Sequence, residues 1–228
     1  MNRAVFLDRD GILNVDRGYT FRISDLLVPD GVPESLARLK SNGFKLVVIT
    51  NQSGVARGKF SMADVSDFHD ALQAEIVRRG GPVFDLIKIC PHHPDGQVIP
   101  FNVACQCRKP GLQLIEEACS ALAIDPAISF MVGDKWSDVL CGVRAGTTPI
   151  LVHEPQGPSH GSDWGLQQRL QQGLQQGLRY ELPDDARFET AVDSSGREIT
   201  VASSTGTGAV EVYSSLSSVV SRILELSP

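Results

Sequence analysis

The sequence predicts an α/β fold built on a Rossmann-like, doubly wound parallel sheet. Two observations carry that expectation. Short, continuous apolar runs recur at 5–7, 45–49, 86–89, 128–132 and 149–152, as buried parallel strands do. Helical patterns fill the gaps between them, and strands that alternate with helices make a sheet covered on both faces. A third observation concerns the strand ends. Three of the runs open into carboxylates, hydroxyls or amides, and ligands of such sheets sit beyond the carboxyl ends of the strands.

The helices follow in order. A helix over 33–40 begins after the turn Pro29-Asp30-Gly31. A second spans 61–79, with Ser61 as N-cap and Val65, Phe68, Leu72 and Ile76 on one face. A third, over 112–122, is expected to place Leu112, Ile115, Cys119 and Leu122 on one face. The texture changes after Glu154. Gly, Pro, Ser and Gln dominate, and Leu166, Leu170, Leu174 and Leu178 recur every fourth residue, a helix candidate weakened by Gly173 and Gly177. Alternation within 186–202 around Ser194-Ser195-Gly196 predicts a small hairpin, and 210–226 reads as a strand and a helix returning to the sheet. The expected organisation is a core over 1–154, an insertion or elaboration over 155–208, and a return over 209–228.

The chain has 228 residues, 42% of them apolar, so a sizeable core is expected and disorder throughout is excluded. A net charge of −6 argues against a nucleic-acid partner and requires any anionic ligand to meet a local cluster of cations. The first apolar run is too short for a secretory signal, and no stretch approaches a membrane span. A cytoplasmic chain with reduced thiols is expected, in which close-set cysteines suggest metal ligands before disulfides.

The most informative stretch is Phe6-Leu7-Asp8-Arg9-Asp10-Gly11. A strand runs into two carboxylates two positions apart, which point the same way in an extended chain. Such a pair suits a hard cation, or a division into nucleophile and acid/base. Taken alone, it reads equally well as an exposed turn. The strand leading to Thr50-Asn51-Gln52-Ser53-Gly54 offers hydroxyl, amide and backbone donors to a phosphate, and Val132-Gly133-Asp134-Lys135 ends a third strand in a carboxylate and a cation.

Together with Arg108-Lys109 and the run Gly133-Asp134-Lys135-Trp136-Ser137-Asp138, this set resembles the haloacid dehalogenase superfamily of phosphotransferases. More narrowly, the run from Thr50 to Phe60, with Cys90-Pro91-His92-His93-Pro94 and Cys105-Gln106-Cys107-Arg108-Lys109-Pro110, resembles the heptose bisphosphate phosphatases of the histidinol-phosphatase branch. One departure is Ile12, where most members carry Thr or Val. The resemblance implies that Asp8 is the nucleophile and that Asp10 protonates the leaving group and then activates water. It implies that Thr50 and Lys109 hold phosphoryl oxygens. Mg2+ would be held by Asp8, the Asp10 carbonyl and Asp134, with Asp138 orienting that site from behind. Substrate contacts are expected from Asp16, Arg17, Gly18 and Tyr19, from Asn51, Gln52, Ser53 and Arg57, and from Arg108 and Lys135. With Arg9 and Lys59, these cations are expected to make a basic crevice in an acidic chain.

Cys90, His92, Cys105 and Cys107 form a Cys3His set suited to tetrahedral Zn2+ with no open position, hence structural, within a zinc loop over 90–107. His93 is an alternative ligand, which the resemblance disfavours, and a metal-free pair of reduced thiol pairs is the bland alternative. Cys119 and Cys141 are expected in the core. The resemblance implies removal of the 7-phosphate of D-glycero-D-manno-heptose 1,7-bisphosphate, in the synthesis of nucleotide-activated heptose for lipopolysaccharide. The short spacing between the motifs predicts a nearly capless chain, and a monomer or homodimer is expected. A histidinol-phosphate phosphatase and a non-catalytic zinc-stabilised binding module are the competing readings.

Overall fold

The computed structural model describes residues 1–152, 187–192, 198–204 and 208–227. The chain divides into two compact units, Met1–His153 with Val212–Pro228, and Glu154–Glu211. The larger unit carries strands β1 (Ala4–Leu7), β2 (Lys45–Asn51), β3 (Leu86–Cys90), β4 (Phe130–Gly133) and β5 (Thr148–Val152). They lie in the order β3-β2-β1-β4-β5, and every neighbouring pair is parallel. Its helices are α1 (Val32–Ser41), α2 (Met62–Arg78), α3 (Gln113–Leu122), α4 (Trp136–Ala145) and α5 (Leu216–Leu226).

The apolar runs are continuous because alternate residues serve opposite faces of the sheet. Val5, Leu7, Leu46, Val48, Val132 and Ile150 pack with Leu36 and Leu39 of α1, Leu72 and Ile76 of α2, and Val219, Val220 and Ile223 of α5. Ala4, Phe6, Val47, Ile49 and Met131 pack instead with Ile115 and Ala118 of α3 and Cys141 of α4. The doubly wound arrangement expected from the sequence is therefore present. Ser61 caps α2 in a reciprocal box, its hydroxyl accepting from the Asp64 amide and its own amide donating to the Asp64 carboxylate.

Two strand boundaries differ from expectation. Ile128 is half exposed and belongs to a short 3-10 turn (Pro126–Ile128), which the Asp125 side chain caps by accepting from the Ala127 amide, so β4 starts at Phe130. Around α3 the expected stripe is kept, with Leu112, Ile115, Cys119 and Leu122 all packing on the second cluster, and Leu114 and Ala118 are buried beside it. Strand β2 runs on to Asn51, which pairs with Cys90, and this seats the Thr50 loop beside the cysteine loop.

In the smaller unit, β6 (Arg187–Val192) and β7 (Glu198–Ser204) pair antiparallel as a hairpin, and β7 also pairs antiparallel with β8 (Gly208–Tyr213) up to Glu211. The leucine repeat at 166–178 lies outside the described residues. No helix among the described residues is long and apolar enough to cross a membrane.

Candidate active site

Strand β1 delivers Asp8 to the crevice, where its backbone amide still donates to the Val132 carbonyl of β4 at 2.9 Å. Asp134 follows β4, and Asp138 lies in the first turn of α4. Carboxylate oxygens of Asp8, Asp134 and Asp138 all fall within 4.8 Å of one another. Gly11 makes this approach possible: it has φ +85°, and a β-carbon there would lie 2.4 Å from Asp134 Oδ2.

Lys109 is the internal counter-charge. Its Nζ lies 2.8 Å from Asp8 Oδ1 and 2.7 Å from Asp138 Oδ1, and it donates to the Ile49 carbonyl at 2.8 Å, so its three donors all have partners. Burial works against this ammonium, but Asp138 and Asp8 outweigh it and hold its pKa above the usual range. Burial alone would raise the Asp8 carboxyl. Lys109 and Lys135 overcome that effect and bring it below its ordinary value. The Lys109 backbone is clamped by Asn51, which accepts from the Lys109 amide at 3.0 Å and donates to its carbonyl at 3.1 Å.

Asp134 differs. Burial, reinforced by Asp8, Asp138 and Asp16 against the pull of Lys135, pushes its carboxyl up to about 8. Its buried Oδ1 has no hydrogen-bond partner. A clustered, under-neutralised carboxylate set with an orphaned oxygen fits a hard divalent cation.

The expected acid/base residue is held from several sides. The Asp10 carboxylate accepts from Arg9, from Asn14 Nδ2 at 2.9 Å and from Gln52 Nε2 at 2.9 Å. Gln52 also donates to Thr50 Oγ1 at 2.8 Å, so a single buried amide joins Thr50 to Asp10. Asn51 and Gln52, expected at the substrate, thus support Lys109, Thr50 and Asp10. The basic crevice needs a similar correction. Arg9 is fully buried on Asp10, Lys109 is buried between carboxylates, and Lys135 Nζ lies 3.2 Å from Asp16. Carboxylates are thus paired with three of the expected cations, Arg9, Lys109 and Lys135. Asn14, Thr20 and His69 did not stand out in the sequence. For His69 a signal existed, a polar residue falling among Val65, Phe68, Leu72 and Ile76 on an apolar helix face.

Of the remaining expected contacts, Arg17 and Gly18 are exposed, Ser53 is half-buried, and Tyr19 is exposed with φ +57° and Lys59 Nζ 4.7 Å from its ring. Arg57 lies against His93, with Nη2 3.1 Å from Nε2, and buried nitrogens of Arg57 and Arg108 lack hydrogen-bond partners.

In the cysteine loop, Cys90 Sγ lies 3.6 Å from Cys105 Sγ, which lies 3.2 Å from Cys107 Sγ. His92 Nδ1 is 3.2 Å from Cys107 Sγ and 3.8 Å from Cys90 Sγ. Metal–sulfur and metal–nitrogen bonds of about 2.3 and 2.0 Å give tetrahedral edges of roughly 3.5–3.8 Å, so the four donors fit one Zn2+ with no open position. His92 joins the thiols, while His93 faces Arg57. Burial pushes the Cys90 and Cys107 thiols up, Cys107 to about 11. A metal therefore has to displace protons here.

The HAD-hydrolase-like family model matches residues 106–159. The D-glycero-beta-D-manno-heptose-1,7-bisphosphate 7-phosphatase of Haemophilus ducreyi is 44% identical over 66% of this chain and 82% of its own length. The Escherichia coli K12 protein of the same name is 43% identical over 72% of this chain and 87% of its own. The structure of D,D-heptose 1,7-bisphosphate phosphatase from B. bronchiseptica, complexed with magnesium and phosphate, superposes with a TM-score of 0.68 at 27% identity. That match covers 99% of both chains. These names do not favour the histidinol-phosphate reading. The chain is a phosphoric monoester hydrolase of the haloacid dehalogenase superfamily, and it belongs to the D-glycero-D-manno-heptose 1,7-bisphosphate 7-phosphatase family.

Proposed function

We propose that this chain removes the 7-phosphate of D-glycero-β-D-manno-heptose 1,7-bisphosphate in the cytoplasm, through a phosphoryl group carried on Asp8. The observation that carries the reading is Asp8 itself, a carboxylate kept ionised by Lys109 at the mouth of β1, with the orphaned Asp134 oxygen beside it. Asp8 attacks phosphorus and the bond to the sugar oxygen breaks, while Asp10 gives that oxygen a proton. Asp10 then takes a proton from water as the water attacks phosphorus, the bond to Asp8 breaks, and inorganic phosphate leaves with both residues restored. Thr50 and Lys109 hold the phosphoryl oxygens. Mg2+, held by Asp8, Asp134 and the Asp10 carbonyl, would screen the nucleophile from the phosphate dianion. Zn2+ on Cys90, His92, Cys105 and Cys107 would fix the loop that carries Arg108 and Lys109.

Arg57 and Arg108, with unpartnered buried nitrogens, suit the second phosphate, at C1. The relatives' names support the heptose and its β-anomer. The test is Mg2+-dependent phosphate release from both heptose bisphosphate anomers, histidinol phosphate and fructose 1,6-bisphosphate. The β-heptose is expected to show the highest kcat/KM, with turnover lost in EDTA. A preference for histidinol phosphate would overturn the substrate, and metal-independent turnover would overturn the mechanism.

A further inference from the structure

Arg9 stands between the two aspartates in sequence, yet its side chain turns away from the crevice and is wholly buried. Burying a guanidinium is costly unless it is paired throughout. Here it is paired on three sides. Nη2 donates to Asp10 at 2.9 Å (Oδ1) and 2.8 Å (Oδ2), and Nε donates to Oδ1 at 3.1 Å. Nη2 also donates to the Thr20 carbonyl at 2.7 Å. On the far side, Nη1 lies 3.3 Å from His69 Nε2, and Cζ sits 4.6 Å over the Phe68 ring, both on α2. Burial and the nearby Arg9 push the His69 pKa down to about 3, so the imidazole stays neutral and Nε2 accepts from the arginine. Thr20 closes the loop that carries Asp16 and Tyr19, its hydroxyl accepting from the Arg17 amide at 3.0 Å. An apolar residue would fill the space at lower cost, so the arginine's contribution lies in what it orients.

We infer that Arg9 is a positioning residue: seated on His69 and Phe68, its guanidinium sets the Asp10 carboxylate and the base of the 16–19 loop in one register. The proton-transfer group and the loop beside the substrate are thereby held together. This rests on the acid/base reading of Asp10.

The test compares two substrates on the full-length, zinc-loaded protein in Mg2+. One is the best alkyl phosphate of the panel above, whose leaving oxygen needs a proton. The other is p-nitrophenyl phosphate, whose nitrophenolate leaves without one. Arg9→Met is expected to lower kcat on the alkyl phosphate about 100-fold. KM should change little, and the first-turnover burst of nitrophenolate should stay within several-fold of wild type. Arg9→Lys should recover part of the loss. His69→Leu should give a milder, equally selective loss that His69→Gln, which keeps an acceptor, restores. The His69 pair keeps the test open if Arg9→Met does not fold. Equal losses on both substrates, or no loss, in folded Arg9→Lys and His69→Leu would overturn the inference. Asp10→Asn separates the two levels. If it spares the alkyl phosphate, the acid/base reading itself fails. If it shows the selective loss and the Arg9 and His69 variants do not, only the positioning role fails.

Discussion

The carboxylate centre draws Asp8 from the end of β1 and Asp134 and Asp138 from the β4–α4 junction, whereas the thiol centre takes Cys90 from the end of β3 and its other three donors from the loop between β3 and α3. Their electrostatics differ as well. The three carboxylates meet two lysines, Lys109 on Asp8 and Asp138 and Lys135 at 3.7 Å from Asp134 Oδ1, an oxygen that makes no hydrogen bond. The thiols have no such counter-charge, and Cys90 and Cys107 are held protonated by burial. A site preorganised by its own cations can bind a weakly held, exchangeable ion. A site that must lose protons to form binds its metal as part of folding. Lys109 connects the two: its backbone is pinned to Asn51 just past Cys107, and its ammonium reaches Asp8.

The largest expected effect is chemical and confined to the carboxylate side. Asp8→Asn should lower kcat by on the order of 10^4-fold or more, with zinc content and circular dichroism unchanged. Near-normal phosphate release from that variant would remove Asp8 as nucleophile. Stripping zinc, or Cys105→Ser, should act on stability first. A loss of about 4 kcal/mol would lower Tm by roughly 8–16 °C in a chain of this size. Substrate affinity should fall with it, since the loop carries Arg108 and Lys109. An apo protein with the same melting curve and KM would dissolve the contrast between the centres.

Gly11→Ala should cost about 1–3 kcal/mol of backbone strain. It should weaken Mg2+ binding as well, because the new β-carbon meets Asp134, and Mg2+ titration of the folded variant reads this out. A smaller effect is the pH dependence of the Mg2+-free protein. The Asp134 carboxyl rises from 3.8 to about 8, so the folded state binds a proton that the unfolded state has released. That contribution is fully present below about pH 4 and is lost as pH rises toward 8. Thermal melts with and without Mg2+ should therefore differ more at pH 8 than at pH 6, and equal differences would count against Asp134 as a ligand. The smallest effect is expected from Asp16→Asn. Its pair with the half-exposed Lys135 is worth about 1 kcal/mol at most, so Tm should move by less than about 4 °C.

Most of the architecture was legible in the residues, because buried parallel strands and capped amphipathic helices leave local marks. The continuous run at β1 and the Ser61 cap with its apolar stripe are examples. The donor set of the cysteine loop was legible for the same reason, being local in the chain. The boundary at Ile128 was not, because exposure to solvent decides it rather than spacing.

The sequence by itself determined the doubly wound class, the strand-end carboxylates and the metal-like spacing of Cys90, His92, Cys105 and Cys107, all of which depend on near neighbours. Tertiary structure alone decided which cation meets which anion. Arg9, Asn51 and Gln52 read as residues facing an anionic ligand, yet Arg9 and Gln52 are buried against Asp10 and Thr50, and the half-buried Asn51 holds the Lys109 backbone. A charge can be counted from composition, but its partner is set by folding, because only packing brings β1, β2, α2 and the loop after Cys107 within hydrogen-bonding distance.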